Sequence, residues 1–460
     1  MKMLLDFLRR NWMFFILAGL AALALRLMFV FCLPHVAGDT FIYGNIATTW
    51  LNHGVYGLTD NLAVRPTLIR LPGYPAFLAA VFAVFGSEHY GAVMIVQAAI
   101  DTSTCLVIAA LALELMNERA AKTAYLLAAL CPFTANYVAA PLTETLAIAC
   151  TAHALYYGVR GFKALSEGLQ GGFLWLLASL WGAAGVLVRP DGLLVVAGLE
   201  LGLLYCLFRY RGRQSMLAGL LLLAVSLAPL APWAARNWHT FGVFEPLAPR
   251  YADDPGEFLP TGFNHWVRTW IADYVSVEEI YWPVSGEPVN FNALPLRAFD
   301  SREEYEQTSQ IFLQYNQQLY VSEDLDPQFE RLARERVARH PLRYYVGLPV
   351  LRITGMWLRP RTEMLPIDPR WWKYTDHPAE SGLAAGMAGL NLLLLAAATI
   401  GWKRWPLGAA GIALAGFVLL RSAFLGSLEN PEPRYLLECF PVVLALAGGA
   451  FAARHNRDQA

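Results

Sequence analysis

Charge is scarce in this chain. Only 15% of its 460 residues are Asp, Glu, Lys or Arg, against about 25% in a soluble globular domain. A water-facing surface is hard to cover at that density, and the 56% hydrophobic content belongs in lipid. Lysine is scarcer still, with only Lys2, Lys122, Lys163, Lys373 and Lys403. The formal net charge of −1 lacks the basic excess of a nucleic-acid-binding chain, which excludes that partner. Six cysteines (Cys32, Cys105, Cys131, Cys150, Cys206, Cys439) lie in or beside apolar runs without any C-x-x-C pair. Neither a disulfide framework nor a thiolate metal site is suggested. No segment recurs at a fixed period, which weakens an inverted-repeat transporter.

What is present is a series of apolar runs, several reaching the roughly 17–25 residues a membrane helix needs. The first follows Arg9 and Arg10, is too long for a signal peptide and lacks a small-residue cleavage site. It reads as a retained span. Cytoplasmic loops collect Lys and Arg. Placing Lys2/Arg9/Arg10, Arg119/Lys122, Arg160/Lys163, Arg209/Arg211/Arg213, Lys403/Arg404 and Arg454/Arg457 inside gives ten spans with both termini cytosolic. They fall at 11–33, 89–115, 120–140, 142–159, 172–188, 191–208, 215–236, 382–400, 407–426 and 434–452. Two further apolar pieces, 71–86 and 343–358, are interrupted by Pro75 and Pro349. Only about eleven residues follow Pro75, or about 16 Å of helix, half a hydrocarbon core. Both pieces are expected to dip into the membrane or lie along it. Counting them as spans would give twelve crossings and break the basic-inside pattern.

The expected fold is an all-α polytopic membrane protein of about ten transmembrane helices, short juxtamembrane helices and a small extracytoplasmic insert. Residues 1–236 form a transmembrane core with a first outer loop at 34–88. Residues 237–380 form an extracytoplasmic segment with an interfacial helix, and 381–460 the C-terminal transmembrane helices. Within the insert, 301–320 and 327–341 read as two helices, the second ending before Pro341. Ile42, Ile46, Trp50 and His53 share one face at helical spacing, so 40–53 reads as a helix lying flat at the interface.

With this topology, polar residues gather on the outer side. Asp39, His53, Arg65 and Arg70 lie in the first loop, Glu144 where the third span turns into the fourth, and Arg189 and Asp191 between two later spans. Arg236 and Asn237 end the seventh span, and Arg421, Glu429, Glu432, Arg434 and Tyr435 precede the last. Charges at membrane depth are expensive and usually functional. Two carboxylates with several arginines suit a phosphate-bearing substrate, because Arg grips phosphate through planar, paired bonds. Simpler readings stand beside these. Asp39 and Glu144 could cap helices, Arg189 and Arg236 could anchor at the interface, and Arg434 could pair with Glu432 or Glu429. Asp101 could pair with Arg26 inside the membrane as a structural bond.

Six short motifs, taken in order, carry a resemblance. They are Gly38-Asp39 after the first span, R-x-P-G-Y-P at 70–75, Thr143-Glu144, Arg189-Pro190, P-W-x-x-R-N-x-x-x-F-G at 232–242, and Arg434-Tyr435 with Pro441 beyond. Together they resemble polyprenyl-phosphate-sugar-dependent glycosyltransferases of the GT-C fold, in the branch of protein O-mannosyltransferases and the lipid A aminoarabinose transferase. The likeness spans residues 10–240 and, more loosely, the last span. It implies a site facing the periplasm or exterior of a plasma (inner) membrane, a lipid-linked sugar donor on polyprenyl phosphate, and a glycan, lipid or protein acceptor. It places Asp39 and Glu144 at the family's two acidic positions. Chemically, an acceptor hydroxyl needs a base, for which Asp39 is the candidate. A phosphate leaving group departs as an anion and needs positive charge rather than an acid. Arg70, Arg189, Arg236, Arg434 and Tyr435 are the candidate donor-phosphate ligands, with His53, Arg65 and Asn237 as weaker acceptor or sugar contacts. Glu144 could orient the acceptor, tune Asp39, or share a divalent cation with it. Two rivals remain: a transporter or flippase of lipid-linked saccharides, and a polysaccharide ligase or polymerase.

Overall fold

The computed structural model describes residues 2–453 apart from 62, 210, 211 and 285. Arg211, Arg454 and Arg457, counted above among the inner cations, lie outside the described residues. The chain divides into two compact units. One comprises residues 1–255, 392–420 and 437–460, the other 256–391 and 421–436.

The first unit opens with α1 (Lys2–Arg10), α2 (Trp12–Cys32) and α3 (Asp39–His53). An antiparallel hairpin follows, β1 (Gly57–Asp60) and β2 (Ala63–Pro66), with Gly57 opposite Pro66. Then come α4 (Gly73–Phe85), α5 (Tyr90–Leu115), α6 (Glu118–Ala129), α7 (Pro132–Ala135), α8 (Glu144–Glu167) and α9 (Gly172–Val188). After them run α10 (Leu193–Arg209), α11 (Gly212–Leu227) and α12 (Leu230–Phe241). The second unit holds α13 (Thr261–Arg268), α14 (Tyr274–Ser276), α15 (Arg302–Gln318), α16 (Asp326–Arg339) and α17 (Leu348–Leu358). Two long helices, α18 (Pro378–Arg404) and α19 (Gly408–Gly426), run through both units, and α20 (Phe440–Ala450) returns to the first.

The protein is a multi-pass membrane protein. Among the described residues, six helical stretches are long and apolar enough to cross a bilayer: Trp12–Cys32, Tyr90–Leu115, Pro190–Arg209, Gly212–Phe241, Pro378–Arg404 and Gly408–Gly426. α4 and α9 are shorter apolar helices. α8 carries Glu144, His153, Arg160, Lys163 and Glu167, so its hydropathy is low, yet it is buried along most of its length against α5, α9 and α10. The expected span at 120–140 is not one helix. α6 stops at Ala129, and Pro132, which has no N–H to give a preceding turn, opens the short α7. Arg26 completes that stop from within α2. Its guanidinium donates to the last carbonyls of α6, Ala128 O at 3.1 Å and Ala129 O at 2.7 Å, and to Asp101 Oδ2 at 2.8 Å. The intramembrane pair expected from sequence is therefore also a helix cap. The seventh span is likewise bent, with α11 and α12 meeting at Pro229.

Within the R-x-P-G-Y-P motif, Gly73 has a packing reason. A Cβ there would sit 2.6 Å from the Leu187 carbonyl oxygen at the end of α9. Tyr74 is fully buried and donates to Gln97 Oε1 at 2.8 Å, and Gln97 in turn donates to Val138 O and Ala140 O. Gly73→Val should therefore pry α4 from α9 and lower stability by about 1–3 kcal/mol, read as a drop in the unfolding midpoint of purified protein.

In the second unit, α13 packs on α16 around Trp266, Trp270, Phe312 and Phe329. Arg336, buried within that core, reaches Glu304 on α15 and the Ala298 and Arg297 carbonyls. The two helices expected at 301–320 and 327–341 are α15 and α16, the second ending at Arg339.

Candidate active site

Asp39 is the first residue of α3. Gly38 before it has φ of +55°, a backbone conformation that favours glycine, and no side chain caps the helix. The capping role open to Asp39 is thus not taken, and its carboxylate points elsewhere. Oδ1 accepts from Arg70 Nη2 at 2.8 Å, and 39% of the Asp39 side chain is exposed. The Arg70 guanidinium also lies over the Tyr43 ring, 5.5 Å from its centre, and Tyr43 packs edge-on against Tyr74 at 5.0 Å.

A second knot surrounds Arg189, which caps the end of α9. Its Nη1 donates to Thr143 Oγ1 at 3.1 Å and Glu144 Oε1 at 3.3 Å, and its Nε pairs with Asp191 at 3.1 Å and Glu438 at 3.3 Å. Glu144, Asp191 and Glu438 are all nearly buried. One guanidinium thus holds three carboxylates drawn from the start of α8, the turn after α9 and the approach to α20. Tyr43 feels both knots. Burial raises its phenol pKa, Asp39 and Glu144 add to the rise, and Arg70 and Arg189 oppose it. Arg70 thus joins Asp39 to the Tyr43 ring, Glu144 and Arg189 act on the same tyrosine through their charge, and Asp39 is the most open of the acids. Sequence reading missed Tyr43 and Glu438; the one signal for Glu438 was a carboxylate standing inside an otherwise apolar run. Among the described residues, no three His, Cys, Asp or Glu side chains converge as metal ligands.

Arg236 and Asn237 serve the loop that carries Arg70. Arg236 donates to Thr67 O at 2.7 Å and Tyr56 O at 2.6 Å, and lies against the rings of Tyr56, Trp233 and Phe241. Asn237 donates to Glu245 O at 2.7 Å, and Asp254 Oδ1 accepts from the Leu68 N–H at 2.9 Å. The P-W-x-x-R-N-x-x-x-F-G motif is, in this geometry, a clamp on the chain entering Arg70. Arg65 is exposed and pairs with Asp60 across the hairpin, while His53 is exposed at the far end of α3 from Asp39.

The fold around these residues has known counterparts. An archaeal oligosaccharyltransferase, AglB from Archaeoglobus fulgidus in complex with an inhibitory peptide and a dolichol-phosphate, superposes over 96% of this chain with a TM-score of 0.54 at 12% identity. The chain has the GT-C fold. A second structure from that organism, the oligosaccharyltransferase tethered with an acceptor peptide, gives 12% identity, 96% coverage and a TM-score of 0.53. In both cases the match covers 50% of the other chain, so this GT-C chain spans about half the length of those it matches. ArnT from Cupriavidus metallidurans bound to undecaprenyl phosphate aligns over 96% of this chain and 77% of its own at 14% identity, with a TM-score of 0.40. The family model for dolichyl-phosphate-mannose-protein mannosyltransferase matches residues 65–235. No curated protein sequence matches the chain. The matched GT-C stretch takes in Arg70, Glu144 and Arg189.

Arg434 and Tyr435 lie in the second unit. Both are held on Glu432, which pairs with Arg434 Nε at 2.5 Å and accepts from Tyr435 Oη at 2.6 Å and Asn430 Nδ2 at 2.7 Å. The pairing of Arg434 with Glu432, an alternative left open by the sequence, is present. Around them stand Tyr274, Glu278, Arg359 and Glu363, with the Arg359 guanidinium over the Tyr274 ring at 5.2 Å. Burial is the first cause of the raised Tyr274 pKa; Glu278, Glu432 and Glu363 add to it, and Arg434 opposes it. Glu278 and Glu363 are raised in the same way, chiefly by burial. Sequence reading missed this set because its members come from separate turns with no shared motif.

Proposed function

We propose that the protein is a glycosyltransferase that moves a sugar from a polyprenyl-phosphate carrier to an acceptor hydroxyl on the extracytoplasmic side of the plasma membrane. The observation that carries this reading is Asp39: a half-open carboxylate, not spent on a helix cap, oriented by Arg70. In the proposed step the acceptor oxygen bonds to the sugar's anomeric carbon as the bond to the carrier phosphate breaks. The hydroxyl proton passes to Asp39, and the phosphate leaves with the electron pair. Arg70, already beside the base, is the cation best placed for that developing charge. Arg189 is shared among Glu144, Asp191 and Glu438, so its proposed part is to hold Glu144 toward Tyr43 and the acceptor. The remaining proposed contacts are Arg236 and Asn237 through the loop clamp and weaker ones from His53 and Arg65; Arg434 and Tyr435, in the second unit, remain proposed ligands for a lipid phosphate. A divalent cation shared by Asp39 and Glu144 would compete with both guanidinium contacts, and sensitivity of transfer to EDTA tests for it.

The scarcity of lysine outside the expected inner loops supports the sidedness. Two charges deep in the spans, Arg26 and Asp101, pair with each other, and Arg26 also caps α6, which favours a packing role for this pair over a transport path. The A. fulgidus enzyme was captured with a dolichol-phosphate, a carrier of the proposed class. Lipids extracted from the purified protein and identified by mass spectrometry should include a polyprenyl monophosphate or its glycosyl ester. Recovery of a diphosphate-linked oligosaccharide instead would move the protein to the ligase or polymerase reading.

Arg70→Ala separates the two duties of this arginine. Transfer should fall by about 10²-fold or more, as when a positioned charge donor is removed, and binding of a polyprenyl-phosphate analogue should weaken. Unchanged analogue binding would leave Arg70 only as the residue that orients Asp39.

A further inference from the structure

A second apolar feature lies beside the middle of α10, at Leu201, twelve residues beyond Arg189. A groove of about 500 Å³ runs between α10 and the junction of α18 with α19, walled by Leu201, Trp402, Trp405, Ile412, Ala415 and Leu419. Small residues hollow its floor. A Cβ at Gly416 would come within 2.6 Å of Leu201 Cδ1, and one at Gly411 within 3.4 Å of the Trp402 ring. Its rim is open, with Leu201 and Ile412 each 38% exposed and Leu419 68%. Along α19 the lining runs from Gly408 to Leu419, about 16 Å at the helical rise, or one leaflet of a hydrocarbon core about 30 Å thick.

Four exposed basic residues flank the elements that form the groove. Lys403 and Arg404 follow Trp402 directly and are exposed. α10 runs antiparallel to α19, since a Cβ at Gly198 would meet Phe417 and one at Gly202 would meet the Ala409 carbonyl. Continuing α10 by seven residues carries the exposed Arg209 about 10 Å further, toward the Lys403 end, and the exposed Arg213 opens α11 just beyond it. Arg404 donates to the Ala450 carbonyl and helps end α20. Trp402 and Trp405 line the groove next to Lys403 and Arg404, and indole rings favour the headgroup region of a bilayer.

We propose that this groove binds one acyl chain of an anionic phospholipid, with the lipid phosphate on Lys403, Arg209 and Arg213. The length of the groove fits a chain confined to one leaflet, and the basic mouth selects the headgroup by charge. The carrier lipid is a poor fit, because its phosphate is required at Asp39 and Arg70, beyond the other end of α10. The exclusion of the carrier lipid rests on the transferase reading, whereas the groove and its basic flank do not.

Native mass spectrometry of the delipidated protein, titrated with phosphatidylglycerol or phosphatidylcholine, tests the proposal. Wild-type protein should retain phosphatidylglycerol about tenfold better. Ala415→Trp and, separately, Ile412→Trp should fill the groove and cut retention of phosphatidylglycerol about tenfold while the protein stays monodisperse. Lys403→Glu with Arg213→Glu should leave the groove intact and abolish the preference between the two lipids. Equal retention of both lipids by wild type would overturn the headgroup assignment. Undiminished retention in both monodisperse tryptophan variants would overturn the groove itself.

Discussion

Asp39→Asn should abolish most sugar transfer, by at least ~10²-fold, while leaving the protein folded and its lipid binding largely intact. The expectation follows from what the carboxylate does and does not do. It makes no cap bond to α3, so removing the charge costs the helix only the favourable charge–dipole contact of its first turn, about 0.3–1 kcal/mol. Its partner is Arg70, and with 39% of the Asp39 side chain exposed the pair contributes little to stability, within the range of about 0–1 kcal/mol for exposed ion pairs. Asparagine retains an oxygen that can accept from Arg70 but cannot take a proton from an acceptor hydroxyl. General-base loss typically costs about 10²–10⁴ in rate. The measurement is transfer from a glycosyl-phospho-polyprenol donor by purified protein, with the unfolding midpoint and binding of a polyprenyl-phosphate analogue as controls. Wild-type turnover in the variant would remove Asp39 from the mechanism. A collapse of the midpoint together with activity would make Asp39 a structural residue.

The second large effect is expected in stability. Arg26→Ala should destabilise the protein by about 3–5 kcal/mol, the usual result of breaking a buried pair from one side. Two losses combine. Asp101, only 3% exposed, is left without its counter-charge, the Ala129 carbonyl loses its Arg26 donor, and the Ala128 carbonyl keeps only backbone donors such as the Cys131 N–H at 3.4 Å. Replacing both charges by apolar residues of similar volume, Arg26→Met with Asp101→Leu, removes the stranded charge but not the lost cap. That double variant should regain part of the stability and stay below wild type by roughly what an unsatisfied helix end costs, about 1–3 kcal/mol. Denaturant midpoints of the three proteins in one detergent decide the matter. Full recovery in the double variant would mean that the capping bonds contribute nothing. A negligible effect of Arg26→Ala would mean that water or a rearranged side chain replaces the guanidinium.

These two arginine–carboxylate pairs show how far the chain could be read in advance. Asp101 and Arg26 were recognisable because ions inside an apolar run need each other, whatever the fold. Asp39 was recognisable because it follows a span directly. The role of Arg236 was not, since a guanidinium at the end of a span looks the same whether it waits for a phosphate or holds the Thr67 and Tyr56 carbonyls. Glu438 was passed over because its partner, Arg189, lies about 250 residues away in sequence, and no local period joins the two. The break after Ala129 was passed over for a related reason: Pro132 sat within a run of suitable length and hydropathy, and the cap that ends α6 comes from another helix.

Composition and local order by themselves determined that this is a helical, lipid-embedded chain, where its apolar helices run, and that acids and arginines flank them in an order resembling the GT-C fold. Those properties depend on transfer of side chains from water to lipid and on backbone hydrogen bonds satisfied within a segment, both of which act over neighbouring residues. Which arginine meets which carboxylate was decided only by tertiary packing: Arg70 on Asp39, Arg189 on three acids, Arg236 on main-chain carbonyls. Ion pairing acts over a few ångströms in space and carries no trace of separation along the chain.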